Sequence, residues 1–517
     1  MRVGIYNRWL ATLGGGEKYS LAIAEFLARN HAVQVISHRP VSNALASERL
    51  NLDLANVEFV TIPDRPTVEL ASITADFDFF INASFLDMFS SFARHSALVV
   101  YFPIPLSVNR TKRIYAWGGR ILKRLLMVPS FMGVLDNQAY ENSQMRLTGS
   151  RIKIELPYSR EGYWVRFDLA SKEPNVCAAA IQLNGRSVET LALPVDQGFV
   201  SYKGKIPGMT GTLPAMLSIQ ACFDDSSRHD LPIKLALNNF AIVHPRYSIY
   251  QFLFERWLKN WGIRLHRTPY RMAPILDSVD TYQVIWSISQ FTKRWVTNYW
   301  NRPSSLLYPP VDVDQFHPAN KLKQILSVGR FFAGSHNKKH DVMIAAFKMM
   351  IEQGLTGWEL HLVGGTSPGQ EHQNYLAQLF AEAKSYPIVI HTDIPFERLQ
   401  HLYSSSAIYW HAGGFGENED QEPIKFEHFG ITTVEAMASG CVPVVLGKGG
   451  QTEIVKNAHN GFLWHTVNEL IEQTRQLVND DTLRQRLALS AIADSKLYDR
   501  AHFNTHLETL LDQIGIS

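Results

Sequence analysis

The first 37 residues contain a strand–loop–helix–strand pattern that limits the folds open to this chain. Residues 3–7 are a short apolar run that predicts a strand, residues 13–16 predict a glycine-rich loop, and residues 17–29 carry apolar side chains at helical spacing. Residues 32–37 predict a second strand. Parallel strands need a crossover connection of this kind, so the pattern predicts a fold of the α/β class built on a parallel sheet.

The remainder of the chain divides into an all-β stretch and a second α/β run. Between residues 131 and 244, short runs of alternating polarity are separated by turn residues such as Asn184-Gly185, which predicts a β-sandwich. Strands and helices alternate again from residue 324 to residue 446, after a break at Pro309-Pro310. The predicted domains are residues 1–130 with 245–310, an inserted sandwich at residues 131–244, residues 311–490, and a terminal helix at residues 491–517 that packs back on the first domain.

Composition excludes several classes of protein. Basic and acidic residues nearly balance, 50 against 48, which argues against a dedicated nucleic-acid binder. The three cysteines, Cys177, Cys222 and Cys441, are far apart, which excludes a disulfide framework and suits a reducing compartment. No run of 18 apolar residues predicts a membrane-spanning helix, and a strand that starts at residue 3 predicts that no signal peptide precedes the fold. We therefore expect a cytoplasmic protein, with peripheral membrane contact as a further option.

The stretch from residue 426 to residue 445 is the most informative for function. It predicts a loop at residues 430–432 that leads into a short helix, with Thr432 or Thr433 as its N-cap and Gly440 at its end. Free backbone N–H groups and the helix dipole at such a helix start form an anion site. The stretch therefore predicts that a phosphate group binds there.

Two carboxylates flank this predicted anion site. Glu435 is expected in the first turn of the helix, and Glu427 precedes it by eight residues on the far side of the loop. A phosphate between two carboxylates is reasonable only if the carboxylates bind hydroxyl groups. This fits a nucleotide diphosphate sugar, with one glutamate on the ribose and the other on the transferred sugar. The alternative is a capped surface helix with two ordinary glutamates.

Taken as a whole, residues 426–445 closely resemble the signature of the family 4 retaining glycosyltransferases. The resemblance covers the chain except for the sandwich, and it implies the GT-B fold, in which two Rossmann-like doubly wound domains face each other across a cleft. It also implies that Arg330 at a strand end and Lys338 at the next helix start bind the donor diphosphate, with Lys339 as the alternative in a shifted register. Such cations stabilise the charge that grows on a departing nucleoside diphosphate.

The glycine loop near the start of the chain matches the family as well. Gly14, Gly15 and Gly16 follow the first strand, where the family's glycine loop lets the backbone approach the donor closely. A nicotinamide dinucleotide fingerprint would also use Gly14 and Gly16, but Tyr19 occupies the place of its third glycine. Many family members have a histidine where this chain has Tyr101, a phenol that can still hydrogen-bond a sugar hydroxyl.

The predicted site residues fall into three groups. The expected catalytic residues are Arg330, Lys338 and Glu427. The expected donor-binding residues are Gly14, Gly15, Gly16, Gly430, Ile431, Thr432, Thr433 and Glu435. The secondary candidates are Tyr101, Lys339 and His411. No metal ligand is expected, because the two DxD motifs at residues 76–78 and 312–314 are interpreted as strand or loop edges and residues 417–422 as a solvated loop.

The resemblance implies a retaining, metal-independent enzyme without a cofactor, which moves a hexose from a nucleotide sugar to a glycan or lipid-linked saccharide in surface polysaccharide synthesis. Two alternatives stay open: a catalytically inactive glycan-binding or scaffold protein on the same fold, and a phosphorylase that needs pyridoxal phosphate. Residues 120–127 and 256–271 are basic and apolar, which predicts contact with the inner membrane face, an acceptor groove or a packed helix. The sandwich resembles carbohydrate-binding β modules.

Overall fold

The structure is a computed structural model. It describes residues 1–64, 70–71, 73–106, 118, 121–134, 146–171, 176–184, 186–193, 198–209, 215–223, 235–255, 257, 275–334 and 336–516. The chain forms two compact units, residues 1–99 with 104–285 and residues 100–103 with 286–517.

The elements alternate as the sequence patterns predict. The described strands are β1 (Arg2–Tyr6), β2 (Ala32–Ser37), β3 (Val57–Thr61), β4 (Phe79–Asn82), β5 (His95–Val100), β6 (Ser130–Val134), β7 (Arg146–Leu156), β8 (Tyr163–Ser171), β9 (Val176–Leu183), β10 (Arg186–Ala192), β11 (Val200–Ile206), β12 (Ala215–Phe223), β13 (Leu235–Val243), β14 (Val284–Ser287), β15 (Ser305–Leu306), β16 (Leu322–Val328), β17 (Glu359–Gly364), β18 (Ile388–Thr392), β19 (Ser406–His411), β20 (Val442–Leu446) and β21 (Phe462–Trp464). The described α-helices are α1 (Gly15–Leu27), α2 (Asn43–Leu50), α3 (Pro245–Tyr250), α4 (Ile275–Val279), α5 (Gln290–Trp300), α6 (His340–Glu352), α7 (Gln370–Ala383), α8 (Phe396–Ser405), α9 (Ile431–Ala438), α10 (Gln451–Ile454), α11 (Val467–Asn479), α12 (Asp481–Ser495) and α13 (Arg500–Asp512).

The first sheet contains the strand–loop–helix–strand unit predicted at the start of the chain. Within the described residues it joins seven strands in the order β15-β14-β5-β4-β1-β2-β3, and the pairs β1–β2, β1–β4, β2–β3 and β4–β5 are parallel. Consecutive residues of β1 from Val3 to Tyr6 are buried, as expected of a strand covered on both faces. The strand order reverses between β1 and β4, and ligands of doubly wound sheets usually bind at the strand ends beside such a reversal.

The predicted β-sandwich is confirmed as an antiparallel module inserted between β5 and β14. Its eight described strands follow the order β10-β9-β12-β7-β13-β8-β11, with β6 paired to β7. The alternation is clearest in β8, where Tyr163, Val165 and Phe167 are buried while Trp164 and Arg166 are exposed. One face of the strand therefore lines the module core. The strand β10 has no buried residue that could produce an alternating pattern.

The segment after the module packs on the same core. A π-helical turn at Gln251–Glu255 follows α3, and Tyr247 and Tyr250 are buried in the module core. Two basic and apolar stretches were singled out in the sequence, and of these Arg120 and residues 256–271 except Trp257 lie outside the described residues. Membrane contact, an acceptor groove and a packed helix therefore all stay predictions for them.

The second unit carries a second parallel sheet. Within the described residues it has six strands in the order β18-β17-β16-β19-β20-β21, and its neighbouring strands pair in parallel. Every residue of β19 and of β20 is buried, which marks them as central strands. The chain places β17 and β18 on one side of β16 and returns to the other side with β19. The strand order therefore reverses between β16 and β19.

The terminal helix belongs to the second unit. The Arg500 guanidinium in α13 donates from Nη2 to Asp312 Oδ1 at 2.8 Å, and Asp312 is buried. The first aspartate of the DxD motif at residues 312–314 is therefore held in an ion pair, which agrees with its interpretation as a loop edge. The packing of the terminal helix on the first domain and the domain boundaries stay predictions. Among the described helices, none combines the length and apolar character needed to cross a membrane.

Candidate functional site

The strand-order reversal in the second unit brings several predicted site residues together. Arg330 follows the end of β16, and His411 is the last residue of β19, its parallel neighbour. The Tyr409 hydroxyl donates to Thr432 Oγ1 at 2.8 Å and lies 3.5 Å from the Val328 carbonyl. The end of β16, the end of β19 and the amino end of α9 therefore lie close together around this hydroxyl.

Glu427 forms the centre of the candidate site. Its Oε2 accepts from Lys338 Nζ at 2.5 Å and from His411 Nε2 at 3.1 Å. The side chains of Lys338 and Glu427 are 26% and 18% exposed, while that of His411 is 2% exposed. Oε1 of Glu427 makes no hydrogen bond within the described part of the chain, so one carboxylate oxygen is available to a ligand.

The charge state of this cluster follows from its partners. Burial alone would raise the pKa of the Glu427 carboxyl, but the Lys338 charge and the His411 hydrogen bond hold that pKa well below its usual value. Burial lowers the pKa of His411, which keeps its imidazole neutral near pH 7. A neutral His411 that donates from Nε2 leaves Nδ1 bare, and this buried atom has no hydrogen-bond partner among the described residues. The cluster thus consists of one cation, one anion and one neutral donor.

Arg330 differs from Lys338 in its surroundings. It is exposed, and its guanidinium forms no ion pair within residues 275–334 and 336–516 or the other described ranges. The preceding Gly329 packs against the Lys338 side chain so closely that a Cβ there would lie 2.7 Å from Lys338 Cγ. Gly329 therefore permits the lysine stem to lie beside the strand end that carries Arg330. Among the described residues, Lys338 is therefore a paired cation and Arg330 a cation without an ion pair.

Lys339, the alternative to Lys338, has different partners. It begins α6 with a left-handed backbone, φ 56°, and its Nζ pairs with Glu417 Oε1 at 2.8 Å. Lys425 Nζ pairs with the other oxygen of Glu417 at 2.9 Å. Glu417 of the acidic loop is therefore neutralised by two lysines, and no group of carboxylates, cysteines and histidines within the described ranges is arranged to hold a metal ion.

The helix α9 begins differently from the prediction. Its N-cap is Gly430 at φ 121°, so the expected capping by Thr432 or Thr433 is wrong, and both threonines lie inside the first turn. A residue with a side chain would be strained at this φ, which explains why glycine occupies the cap. Glu435 lies in the second turn instead of the first, and its Oε2 accepts from the Tyr403 hydroxyl at 2.9 Å. The helix start presents backbone N–H groups without a side-chain cap.

A histidine next to Glu427 packs among aromatic rings. The imidazole of His428 stacks on Phe102 with 4.5 Å between ring centroids and lies edge-on to His336 at 5.5 Å. Burial, followed by repulsion from His336, lowers the pKa of His428 to about 3. Tyr101 is half-buried beside Phe102, and its carbonyl accepts from Thr292 Oγ1 at 2.9 Å. Residues 100–103 therefore belong with the second unit.

The loop after β20 and the short helix α10 hold residues that the sequence reasoning missed. Gly450 N donates to the Glu427 carbonyl at 2.7 Å, which fixes the backbone of the central glutamate. The amide of Gln451 is buried beside Gly430, and neither of its polar atoms has a partner in the described ranges. Glu453 accepts from the backbone N–H groups of Gln290 and Phe291 at 2.8 and 2.9 Å, so it caps α5. The Gly449-Gly450 pair directly after a buried strand is the sequence signal for this loop.

The glycine loop lies in the first unit, where β1 and β4 mark the reversal. Glu17 Oε2 accepts from Gly14 N at 2.9 Å and from Thr12 Oγ1 at 2.7 Å, which closes a cap. Helix α1 begins at Gly15, so Gly15 and Gly16 lie in the helix rather than in the predicted loop. The donor-binding role of the three glycines stays a prediction.

A second polar cluster in the first unit was not predicted. Asp87 Oδ2 accepts from the Tyr6 hydroxyl at 2.7 Å and from Arg8 at 3.1 Å, while Arg8 also pairs with Asp64 at 2.7 Å. The Tyr6 hydroxyl lies 2.8 Å from His38 Nε2. These residues follow or end four neighbouring strands of the first sheet. No local pattern joins them, because sheet order alone brings them together.

Comparison with known sequences finds proteins to which part of this chain is similar. Residues 312–493 match the family model described as Glycosyl transferases group 1. The chain is 26% identical to the Caenorhabditis elegans GDP-Man:Man(3)GlcNAc(2)-PP-Dol alpha-1,2-mannosyltransferase over 245 residues, which are 43% of this chain and 49% of that protein. It is 26% identical to a Nocardioides D-inositol 3-phosphate glycosyltransferase over 349 residues, 58% of this chain and 72% of that protein. The chain spans half or less of the length of the alpha-1,2-mannosyltransferases it matches.

Comparison with solved structures identifies the fold. A Rickettsia africae glycosyltransferase aligns with a TM-score of 0.51 at 11% identity, covering 100% of this chain and 99% of that one. Anabaena Alr3699/HepE in complex with UDP and glucose aligns with a TM-score of 0.50 at 12% identity, covering 99% and 100%. At such identities the likeness concerns the fold alone. The predicted GT-B fold is confirmed.

Proposed function

We propose that the chain is a retaining glycosyltransferase of family 4. The match of residues 312–493 to the family model described as Glycosyl transferases group 1 supports this proposal. The donor of this enzyme is a nucleotide diphosphate hexose, and its acceptor is a glycan or a lipid-linked saccharide. The relatives named as mannosyltransferases of a dolichol-linked glycan support a lipid-linked acceptor. We assign the protein to the cytoplasm, peripheral to the inner membrane face, in surface polysaccharide synthesis, with no nucleic-acid partner.

The observation that carries this proposal is the cluster of Lys338, Glu427 and His411 at the β16–β19 reversal. Doubly wound sheets bind ligands at this position. Arg330 and Lys338 supply two positive groups for a diphosphate, and the uncapped amino end of α9 supplies backbone N–H groups for its oxygens. An anion of this kind, rather than a neutral ligand, suits the site.

The two glutamates take different parts of the donor in this proposal. Glu427 Oε1 accepts from hydroxyl groups of the transferred sugar, while Oε2 is held by Lys338 and His411. Glu435 accepts from the ribose, and Tyr403 orients its carboxylate. Because the Glu427 pKa is held low, its carboxylate is charged and can only accept hydrogen bonds at neutral pH.

In the proposed reaction, the two cations stabilise the negative charge that develops on the leaving diphosphate. As the bond between the anomeric carbon and the diphosphate breaks, negative charge grows on the leaving diphosphate, and Arg330 and Lys338 stabilise it. The acceptor hydroxyl attacks from the same face and passes its proton to the departing phosphate oxygen. The two side-chain cations take the part that a divalent metal plays elsewhere, so we propose that neither a metal ion nor another cofactor is required.

Donor hydrolysis and calorimetry test the proposal with purified full-length protein. GDP-, UDP- and ADP-hexoses are screened, and the donor that is used is then offered to Glu427→Gln. We expect this variant to lose turnover by about 100-fold or more while it stays folded. Glu371→Gln, a change at an exposed carboxylate of α7, is the matched control. Near-normal turnover in Glu427→Gln would refute the site assignment, and the absence of binding by every nucleotide would favour the inactive scaffold.

The cofactor proposal has its own measurement. Turnover with excess EDTA should equal turnover without it, and the purified protein should lack the visible absorbance of a pyridoxal phosphate aldimine. Loss of activity on chelation that divalent cations restore would overturn the metal-independent part of the proposal alone.

A further inference from the structure

A cavity of about 570 Å³ lies in the second unit and is lined by none of the residues assigned to the donor. Two segments form it: residues 307–309, which follow the strand β15, and residues 497–509, which include most of α13. Pockets for small molecules usually measure roughly 300–1,000 Å³ and are mainly apolar with a few polar groups. The volume of this cavity therefore suits a small molecule.

The walls of the cavity are mostly apolar and aromatic. The rings of Tyr308 and Tyr498 meet edge-on with 5.3 Å between their centroids, and Phe503 also lines the cavity. The Tyr308 hydroxyl donates to Glu453 Oε2 at 2.9 Å, and the Tyr498 hydroxyl donates to the Glu453 carbonyl at 3.0 Å. Leu497 is a lining residue that is 51% exposed. Because their hydroxyls bond to Glu453, the tyrosines offer ring surfaces, which suit an aromatic body.

Two neighbouring polar side chains lie on the α13 side of the cavity. Thr505 and His506 both line it, and neither side chain has a hydrogen-bond partner in the part of the chain that the structure describes. Asp499 is the carboxylate of the lining, and its Oδ1 already accepts from His502 N at 2.7 Å and lies 2.9 Å from His502 Nδ1. A hydroxyl and an imidazole can both donate hydrogen bonds. The available groups therefore suit a ligand with an acceptor group rather than a cation.

The aromatic walls also contact the segment that carries Glu427. The ring centroid of Phe429 lies 5.5 Å from that of Tyr308 and 5.3 Å from that of Tyr498. Phe429 directly precedes Gly430, the N-cap of α9. A molecule that holds the two tyrosine rings in place therefore also restricts Phe429 and the start of α9.

We propose that this cavity is an effector site for a small amphipathic acid. Its aromatic body packs on Tyr308 and Tyr498, and its acid group accepts hydrogen bonds from Thr505 and His506. Occupancy restricts Phe429 and favours the arrangement of α9 that binds a nucleotide diphosphate. The binding site goes beyond the proposed function, and only the effect on nucleotide affinity rests on that function.

Anilinonaphthalene sulfonate, an aromatic body with one acid group, is the probe for the folded full-length protein. Its fluorescence should rise to saturation. Ala501→Trp introduces a large side chain at an exposed lining position and should weaken probe binding roughly tenfold or more, because it fills the apolar volume that the probe would bury. Ala377→Trp, the same change at an exposed position of α7, is the matched control and should bind like the wild type.

The polar end of the cavity has its own pair of variants. His506→Leu should weaken probe binding roughly threefold to tenfold, because the acid group loses a hydrogen bond. His506→Gln keeps a donor and should restore most of the affinity. Circular dichroism melting confirms that each variant is folded.

Hydrogen–deuterium exchange follows the effect on the donor segment without any nucleotide. The probe should slow exchange at residues 427–434 by roughly threefold or more in the wild type and in Ala377→Trp, but not in Ala501→Trp. Calorimetry then measures nucleotide binding, in which probe and nucleotide should raise each other's affinity by the same factor, roughly fivefold or more. A chain that binds no nucleotide would contradict the proposed function and leave the exchange result intact.

Three results would overturn the effector site. The first is the absence of saturable probe binding. The second is binding that Ala501→Trp and His506→Leu both leave unchanged, since the probe would then lie elsewhere. The third is binding that these variants weaken but that leaves exchange at residues 427–434 unchanged, since the cavity would then have no effect on the donor segment.

Discussion

The ion pair between Lys338 and Glu427 permits a quantitative prediction that is independent of activity. We expect Lys338→Met to lower the free energy of unfolding by about 1–3 kcal/mol at pH 7. Breaking a fully buried pair costs roughly 3–5 kcal/mol, but these side chains are 26% and 18% exposed and His411 still donates to Glu427, which reduces the cost. Methionine preserves the aliphatic stem that packs on Gly329, so the loss reports the charge.

The loss should depend on pH in a defined direction. The folded pKa of Glu427 is depressed, so its stabilisation is fully present above the pKa of an unfolded glutamate, about 4.3, and is lost as the pH falls through the folded value. Lys338→Met removes the largest favourable contribution to that depression. Wild type and variant should therefore differ most near pH 7 and become similar in acid.

Guanidinium unfolding followed by circular dichroism measures these differences. A double-mutant cycle with Glu427→Gln isolates the pair: the double variant should be more stable than the sum of the two single losses predicts, because no unpaired carboxylate remains. Lys323→Met, at an exposed lysine of β16, is the control and should change stability by less than about 0.5 kcal/mol. Additive single losses within about 0.5 kcal/mol would refute the coupling.

Three further changes report on neighbouring parts of the second unit. Gly430→Ala should lower the free energy of unfolding by about 1–3 kcal/mol, because alanine is strained at φ 121° and its Cβ would lie 3.0 Å from Gln451 Nε2. Thermal melting measures this loss, and an unchanged melting midpoint would contradict the prediction. Arg330→Met should leave stability within about 0.5 kcal/mol but weaken nucleotide diphosphate binding roughly tenfold or more by calorimetry; equal affinity would remove this residue from the site. Asp312→Ala should cost about 1–3 kcal/mol in denaturant because the Arg500 charge loses its buried partner, and an unchanged midpoint would count against a structural ion pair.

Local signals were sufficient where an element carries its own cap and its own periodicity. Helix α5 begins after Ser289, whose hydroxyl accepts from Thr292 N at 3.0 Å, and it buries Phe291 and Trp295 one turn apart. Every residue of the strand β20, within the α/β run predicted up to residue 446, is buried and apolar. The edge strand β10 has no buried residue and gives no such signal.

The candidate site was predictable in its residue types but not in its contacts. The resemblance singled out Lys338 and Glu427, yet the distance between them depends on how β16, α6 and β19 are placed. Spacing in the sequence could not show which of Lys338 and Lys339 contacts Glu427. The left-handed backbone at Lys339 directs its side chain to Glu417, while that of Lys338 contacts Glu427. The cap of α9 was misjudged since sequence preference for threonine ignores the backbone angle at Gly430.

Residues 100–103 belong to the unit whose other residues begin at 286, and this affects how the chain can mature on the ribosome. Phe102 stacks on His428, and roughly 330 residues separate the two, so at about 5–20 residues per second their meeting waits roughly 15–65 s. During that interval the ring of Phe102 has no stacking partner, because His428 has not yet been synthesised. Completion of the second unit is therefore a late event, and chaperone occupancy or proteolytic cleavage of the growing chain should concentrate near residues 100–103.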